Sequence, residues 1–310
     1  MSQLFQRAYQ VSIGTPLNPD QAKYGNVPSN KGLTPLRVTF DLKKTSQSSA
    51  NKGKISIWNM AGDTRSRIAP GMLVTLTAGY RSLFQVLFNG VVAKATSERH
   101  GADIETVMEV GDGESAISQV PFNKHYLNGT HLSEILQDLA EAMHEITPAN
   151  PAGIQPGVVM GIPDVEYPLG YSANGVASQI LRKLCNAHGL QWSVQNGALN
   201  IIPLNGSTST TETAEMISSD NGMLGIPSVN GDKVSFSNLI NPNIEPTRMV
   251  KIYSPTVTGV FVLQSVDISG DSHGDKWEMK CEGTALPTAG ATAKTAQGFN
   301  YAGAEVTPEL

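Results

Sequence analysis

One stretch of the chain spells a nucleophile motif: Gly270-Asp271-Ser272-His273-Gly274 matches the pattern G-x-S-x-G. In hydrolases that pattern works because a strand runs into a strained turn and then a helix, which leaves the serine Oγ exposed beneath the helix N-terminus. The residues that follow here, Asp275 to Glu282, alternate as a strand does. The stretch therefore reads as a hairpin turn rich in Gly, Asp and Ser. His100-Gly101 stands at a matching point earlier in the chain with no serine beside it, which favours the turn. A cell-wall-degrading or serine-type hydrolase using the Gly270–Gly274 turn is the alternative function.

Other candidate chemistry is thinner. The histidines at 100, 125, 131, 144, 188 and 273 contain no H-x-x-x-H pair, and Cys185 and Cys281 cannot supply a zinc set. Glu98, Asp112 and Glu114 could form an acid/base pair for glycoside cleavage, but a chain with 27 acidic residues offers many such pairs, and solvated surface is the simpler reading. Gly111-Asp112-Gly113-Glu114 lacks the further glycines and the βαβ context of a phosphate loop. Trp58, Trp192 and Trp277 each sit in a strand pattern, where core or interface packing explains them. No catalytic, cofactor-binding or metal-binding residue is assigned, and no cofactor is expected.

Composition bounds the partners. The net charge is −5, with Lys and Arg scattered rather than gathered into a stripe, so nucleic acid binding is not expected. Two cysteines, one in a helical and one in a strand pattern, suit free buried thiols in a reducing compartment. The first ten residues lack an apolar stretch followed by a cleavage site, so synthesis in a cytoplasm is expected. The longest apolar runs fall far below the ~20 residues of a membrane-spanning helix, so no membrane segment is expected.

The elements that would position these residues are mostly strands. Leu36, Val38, Phe40 and Leu42 alternate with Arg37, Thr39, Asp41 and Lys43, the mark of a half-buried strand. Further strands are expected at 54–60, 73–78, 84–95 and 104–110, with a short helical turn near Arg65–Ile68. The period then changes. Leu132, Ile135, Leu136, Leu139 and Met143 predict a helix capped by Thr130, and Val176, Ile180, Leu181, Leu184 and Cys185 predict a second, stopped by Gly189. Asn196-Gly197 between alternating segments predicts a type I′ hairpin. Residues 205–212 read as a polar linker unable to pack.

The fold expected is mainly β, α+β overall: two small tube-like β-barrels related by internal duplication, flanking an α+β insert of two helices and a hairpin. The duplication is read from Pro70-Gly71-Met72 leading to His100-Gly101, echoed by Pro246-Thr247-Arg248 leading to His273-Gly274. The domain plan is an N-terminal arm at 1–32, a first barrel at 33–125, the insert at 126–205, a second barrel at 206–286 and a mobile C-terminal tail at 287–310.

The order of these pieces resembles the baseplate hub proteins of phages with contractile tails. The resemblance is carried by Leu36–Leu42, Lys54–Met60, Pro70-Gly71-Met72 with Ala78-Gly79-Tyr80, Gly111–Glu114, Leu190–Val194 with Asn196-Gly197, Ser219–Pro227, Leu239–Pro242 and His273–Trp277. It spans residues 34–286. Such hubs are similar to the base of the type VI secretion spike. The resemblance implies a structural virion protein: a homotrimer closing a pseudo-six-fold ring that adapts the hexameric tail tube to the trimeric spike, not an enzyme. It also implies the tail tube protein, the spike protein and other baseplate proteins as partners, and a place in the tail baseplate after assembly in the host cytoplasm. The usual Pro-Gly-Arg of the second unit is here Pro246-Thr247-Arg248, which leaves that turn open.

Overall fold

The computed structural model describes residues 6–27, 33–147, 150 and 152–286. The tail expected at 287–310 lies outside the described residues. The first third of the chain is β1 (Arg7–Thr15), β2 (Asn18–Gly25), β3 (Val38–Thr45), β4 (Asn51–Trp58), α1 (Gly62–Arg67), β5 (Leu73–Tyr80), β6 (Leu83–His100) and β7 (Asp103–Asp112). The middle is α2 (Glu114–Gln119), β8 (Pro121–Tyr126), β9 (Thr130–His131), α3 (Leu132–His144), β10 (Gln155–Val159), β11 (Glu166–Tyr167), β12 (Tyr171–Val176), α4 (Ala177–Ala187), β13 (Leu190–Gln195) and β14 (Ala198–Pro203). The last third is β15 (Glu215–Ile217), β16 (Met223–Asn230), β17 (Lys233–Leu239), β18 (Met249–Tyr253), β19 (Thr258–Asp271) and β20 (Trp277–Ala285).

The mainly β character read from the alternation is what the chain adopts. Val38, Phe40 and Leu42 of β3 point inward and are buried, while Asp41 and Lys43 face solvent. The strands expected of the two barrels are joined. They form one 13-stranded sheet over one continuous hydrophobic cluster, because β19 pairs antiparallel with β3 from Ser265–Thr45 to Asp271–Thr39.

Within that sheet one pairing order occurs twice. β3-β4-β7-β6-β5 is matched by β16-β17-β20-β19-β18. Each long strand carries a bulge at the corresponding place, Ala93 between Val92 and Lys94 in β6 and Gln264 between Leu263 and Ser265 in β19. The turns entering β5 and β18 match as well: the Gly71 N–H donates to the Val92 carbonyl at 2.8 Å, and the Thr247 N–H donates to the Leu263 carbonyl at 2.8 Å. The flanking strands differ. β1 lies antiparallel beside β5, whereas β15 lies parallel beside β18.

Gly71 has φ +86° and Thr247 has φ +70°, so the threonine occupies the left-handed region that its neighbour's role assigns to glycine. A β-branched residue there costs roughly 1–2 kcal/mol. The segment expected to be an unpacked linker holds it in place, since the Thr208 N–H and the Ser207 hydroxyl both donate to the Thr247 carbonyl, at 2.9 and 2.7 Å. Residues 205–212 thus carry few apolar groups but satisfy a strained turn with their hydroxyls.

The middle of the chain has its own core, in which Leu136, Leu139 and Met143 of α3 meet Leu181, Leu184 and Cys185 of α4 and Trp192 of β13. Gly189 stops α4 in the left-handed region at φ +66°, and Asn196 and Gly197 both have positive φ, as a type I′ turn requires. Thr130 is not the cap of α3. That position falls to His131, and the Thr130 hydroxyl donates to the Leu127 carbonyl at 2.9 Å. The first helical N–H, of Leu132, donates to Val165 beside β11, so backbone supplies what the side chain was expected to give.

At the junction of the two units, a Cβ added to Gly270 would lie 2.2 Å from the Phe40 ring, which packs edge-on to Trp277 at 5.5 Å. Gly270→Ala should lower stability by about 1–3 kcal/mol, with Gly270→Ala/Phe40→Leu recovering part of the loss. Urea unfolding of the three proteins checks this; an unchanged midpoint for the single variant would contradict the packing.

Candidate functional site

The seam where β19 meets β3 holds the Gly270–Gly274 motif that the sequence marked for chemistry, and it uses those residues structurally. Ser272 lies in the turn between β19 and β20, with a strand on either side and no helix after it. Its Oγ accepts a hydrogen bond from the Val38 N–H at 2.9 Å, its own N–H donates to the Val38 carbonyl at 2.9 Å, and its Oγ lies 2.8 Å from His273 Nδ1. Asp271 is held by Arg37 along one guanidinium edge, Nη2 donating to Oδ2 at 2.7 Å and Nε to Oδ1 at 3.2 Å. The hydrogen bond to Arg37 keeps the Asp271 carboxyl below the usual carboxylate range. A nucleophile elbow needs a serine free at a strand-to-helix turn. Here the serine caps the start of β3. The Arg7 guanidinium adds a clasp, donating to the carbonyls of Gly274 and Asp275 and lying 5.5 Å above the Trp277 ring.

The other candidates are dispersed. Glu98 is exposed on β6, Asp112 is buried at the end of β7, and Glu114 pairs with Lys52 at 3.1 Å. His100 sits 3.4 Å from Glu105, His131 lies 2.9 Å from Asp164, and the Tyr167 hydroxyl lies 2.9 Å from His188 Nε2. Among the described residues no group of three or more His, Cys, Asp or Glu side chains is arranged to hold a metal ion. Both thiols are buried, and burial pushes that of Cys185 up to about 12.

At the inner end of the seam lies a polar node that no motif announced. The Lys44 ammonium is buried and donates to Glu245 Oε1 at 2.9 Å, Asn196 Oδ1 at 3.0 Å and the Leu87 carbonyl at 3.3 Å. Beside it Asn51 donates to the Val194 carbonyl at 2.7 Å, Gln195 donates to the Thr45 carbonyl at 2.7 Å, and the Gly197 N–H donates to Asp112 at 2.8 Å. The tip of the β13–β14 hairpin is thereby plugged between the two repeated β units. A buried ammonium is tolerated only when its donors are used. Lys44 was legible as an anomaly: it follows Val38, Phe40 and Leu42 on the inward phase of β3.

Several stretches of sheet edge are open among the described residues, β2 at one end of the large sheet being one. β16 ends the sheet at the other side, and β6 from Lys94 to His100 pairs with β7 alone, since β5 reaches only to Val91. Val229 and Ile226 on β16 are exposed apolar residues. Such edges are templates for further strands.

No family model matches the sequence, and no curated protein matches it. Solved structures do. The chain is similar to a tail protein from Neisseria meningitidis MC58, with TM-score 0.60 and 11% identity over 90% of this chain and 97% of that one. It is similar to the 43 kDa tail protein of prophage MuSo2 from Shewanella oneidensis, with TM-score 0.58 and 10% identity over 90% and 98%. A third is an E. coli component of the type VI secretion system, described as structurally similar to T4 bacteriophage tail proteins gp27 and gp5, with TM-score 0.59 and 11% identity over 86% and 78%. The fold is therefore that of phage tail and type VI secretion proteins, in agreement with the resemblance read from the order of motifs.

Two outcomes follow from the geometry. Removing the hydroxyl in Ser272→Ala should cost about 1 kcal/mol, the loss of one hydrogen bond to the Val38 N–H, as read by urea unfolding; an unchanged midpoint would contradict its role as a cap. Burial, opposed by Lys44 and by the Gly197 and Asn51 donors, raises the Asp112 carboxyl from 3.8 to about 6. Because the folded value is the higher, this contribution to stability is full below the unfolded value and is lost as pH rises through about 6. The difference is on the order of 3 kcal/mol. Comparing wild type with Asp112→Asn at both ends of that window should show the stability gap change by that order; a gap independent of pH would contradict the assignment.

Proposed function

We propose that this chain is a structural protein of a contractile phage tail: a central baseplate hub of which three copies close a ring of pseudo-six-fold symmetry. The observation that carries this reading is the repeated pairing order, with its matched bulges and matched entry turns. Three chains that each hold two alike units present six alike faces on one side, while the insert and the flanking strands, which are not repeated, keep threefold character. That combination suits an adapter between a hexameric tail tube and a trimeric spike. The two units correspond to barrels at 33–125 and 206–286, related by internal duplication, with the insert at 126–205 between them. β1 and β2 add to the first unit where an arm at 1–32 was expected.

The partners are the tail tube protein, the spike protein and other baseplate proteins, met through sheet edges and packed faces. The hub is assembled in the host cytoplasm and resides in the virion tail. The reading is structural rather than catalytic, and the occupied Ser272 and Asp271 support it.

Sedimentation equilibrium tests the assembly. The expected particle has three times the mass of the 33.0 kDa chain, and averaged electron micrographs along its axis show six similar lobes. A particle that remains a single chain at its highest soluble concentration, or averages with three lobes and no sixfold modulation, would overturn the reading.

A further inference from the structure

We infer that the ring is closed by backbone pairing between β16 of one copy and the Lys94–His100 half of β6 of the next, in the register of the β19–β3 seam. This rests on the trimeric reading above and names the contact that produces it. The bulges align the two long strands, so Ala93 corresponds to Gln264, and Lys94, Thr96 and Glu98 correspond to Ser265, Asp267 and Ser269. On the other side, Val110 pairs with Gly53 and Gly53 with Leu42, while Gly283 pairs with Val234 and Val234 with Val229. Val229 therefore holds the place of Leu42. In the seam Leu42 faces Ile268. By the same offset Val229 faces Ser97 of the next copy, Ser228 faces Glu98 and Asn230 faces Thr96.

Three further observations agree. Val229 is 49% exposed, whereas Leu42 in the corresponding place is 1% exposed beneath β19. The groove beside β3 is walled by Asp267, Ile268 and Ser269, while the corresponding groove beside β16, lined by Ser228, Asn230, Lys233 and Glu282, has no such wall among the described residues. Hydrogen-bonding phase also matches. The two-residue turns at Gly101-Ala102 and Gly231-Asp232 make His100–Asp103 and Asn230–Lys233 the closing pairs, so Ser97 and Val229 direct their N–H and C=O groups toward the open edges. The chain thus contains, between β19 and β3, a template of its own intermolecular contact.

Glu98 and Ser228 would form a non-hydrogen-bonded pair, with Cα atoms about 4.5 Å apart, within disulfide range. The native cysteines are buried and do not compete. Glu98→Cys/Ser228→Cys should oxidise to a covalent ladder that ends at trimer on a non-reducing gel, with most of the chain in the closed trimer. Each single variant, and the one-residue slip Ser97→Cys/Ser228→Cys, should remain monomeric on the same gel. A preparation that sediments as a trimer yet forms no covalent dimer would overturn the pairing and leave the ring standing. Equal crosslinking of the slipped pair would overturn the register. A ladder running past trimer would keep the pairing and overturn the trimeric reading, and an uncrosslinked monomer would overturn both.

Discussion

The backbone pairing of β19 with β3 joins strands from opposite ends of the chain, and the rest of the architecture is arranged around it. Seven residues of each strand are in register. Closing so long a loop is costly in entropy, though the cost grows only slowly with loop length. The pairing is secured at both ends. Arg37 with Asp271 and the Ser272 cap hold the outer end, while Lys44, Glu245 and the Asn196 turn hold the inner end. Between them Val266 and Ile268 lie buried beside Phe40 and Leu42, so the two repeated units share one core. The insert is not a passive decoration. Its hairpin tip supplies, in Asn196, one of the three acceptors that make a buried lysine tolerable at the point where both units meet.

Repetition in this chain operates at the level of strand pairing rather than of sequence. A glycine and a threonine occupy one left-handed turn position, and the threonine is accommodated because Ser207 and Thr208 bring hydroxyl and amide donors to its carbonyl. Two copies of one pairing order differ mainly in what lies beside them. One long strand has its far edge covered by β3, while the other leaves the corresponding edge open. That inequality is what a subunit needs if its neighbours are copies of itself, since a chain that satisfied every edge internally would have no backbone left to share.

The chemistry suggested by single motifs is absorbed by the same seam. A Gly-Asp-Ser-His-Gly run is well suited to a tight turn, and the groups that would serve catalysis are spent on an ion pair and a strand cap. A letter match to a motif carries weight only with its structural context, and here a strand follows where a helix would be required.

Local periodicity was readable wherever a residue's environment depends on its immediate neighbours. The inward phase of β3, the apolar faces of α3 and α4, the Gly189 stop and the Asn196-Gly197 turn follow from side-chain spacing and from φ preferences. Lys44 continues the inward phase of Val38, Phe40 and Leu42, a signal in the spacing that the sequence reading passed over. Its partners left no such signal, because Glu245 and Asn196 reach it only through the tertiary fold. β2, β8 and β12 were missed for a related reason: they are largely exposed and polar, and their strand character comes from the edge they pair with. The cap of α3 falls to His131 rather than Thr130, with the Val165 carbonyl beside β11 as the backbone acceptor for Leu132. The sequence by itself determined which segments alternate, which coil and where they turn, since those depend on contacts a few residues apart. Which strand lies beside which, and which edges stay open, was decided by the tertiary structure alone, because backbone hydrogen bonding is blind to side-chain identity and pairs whichever edges the packing of the core brings together.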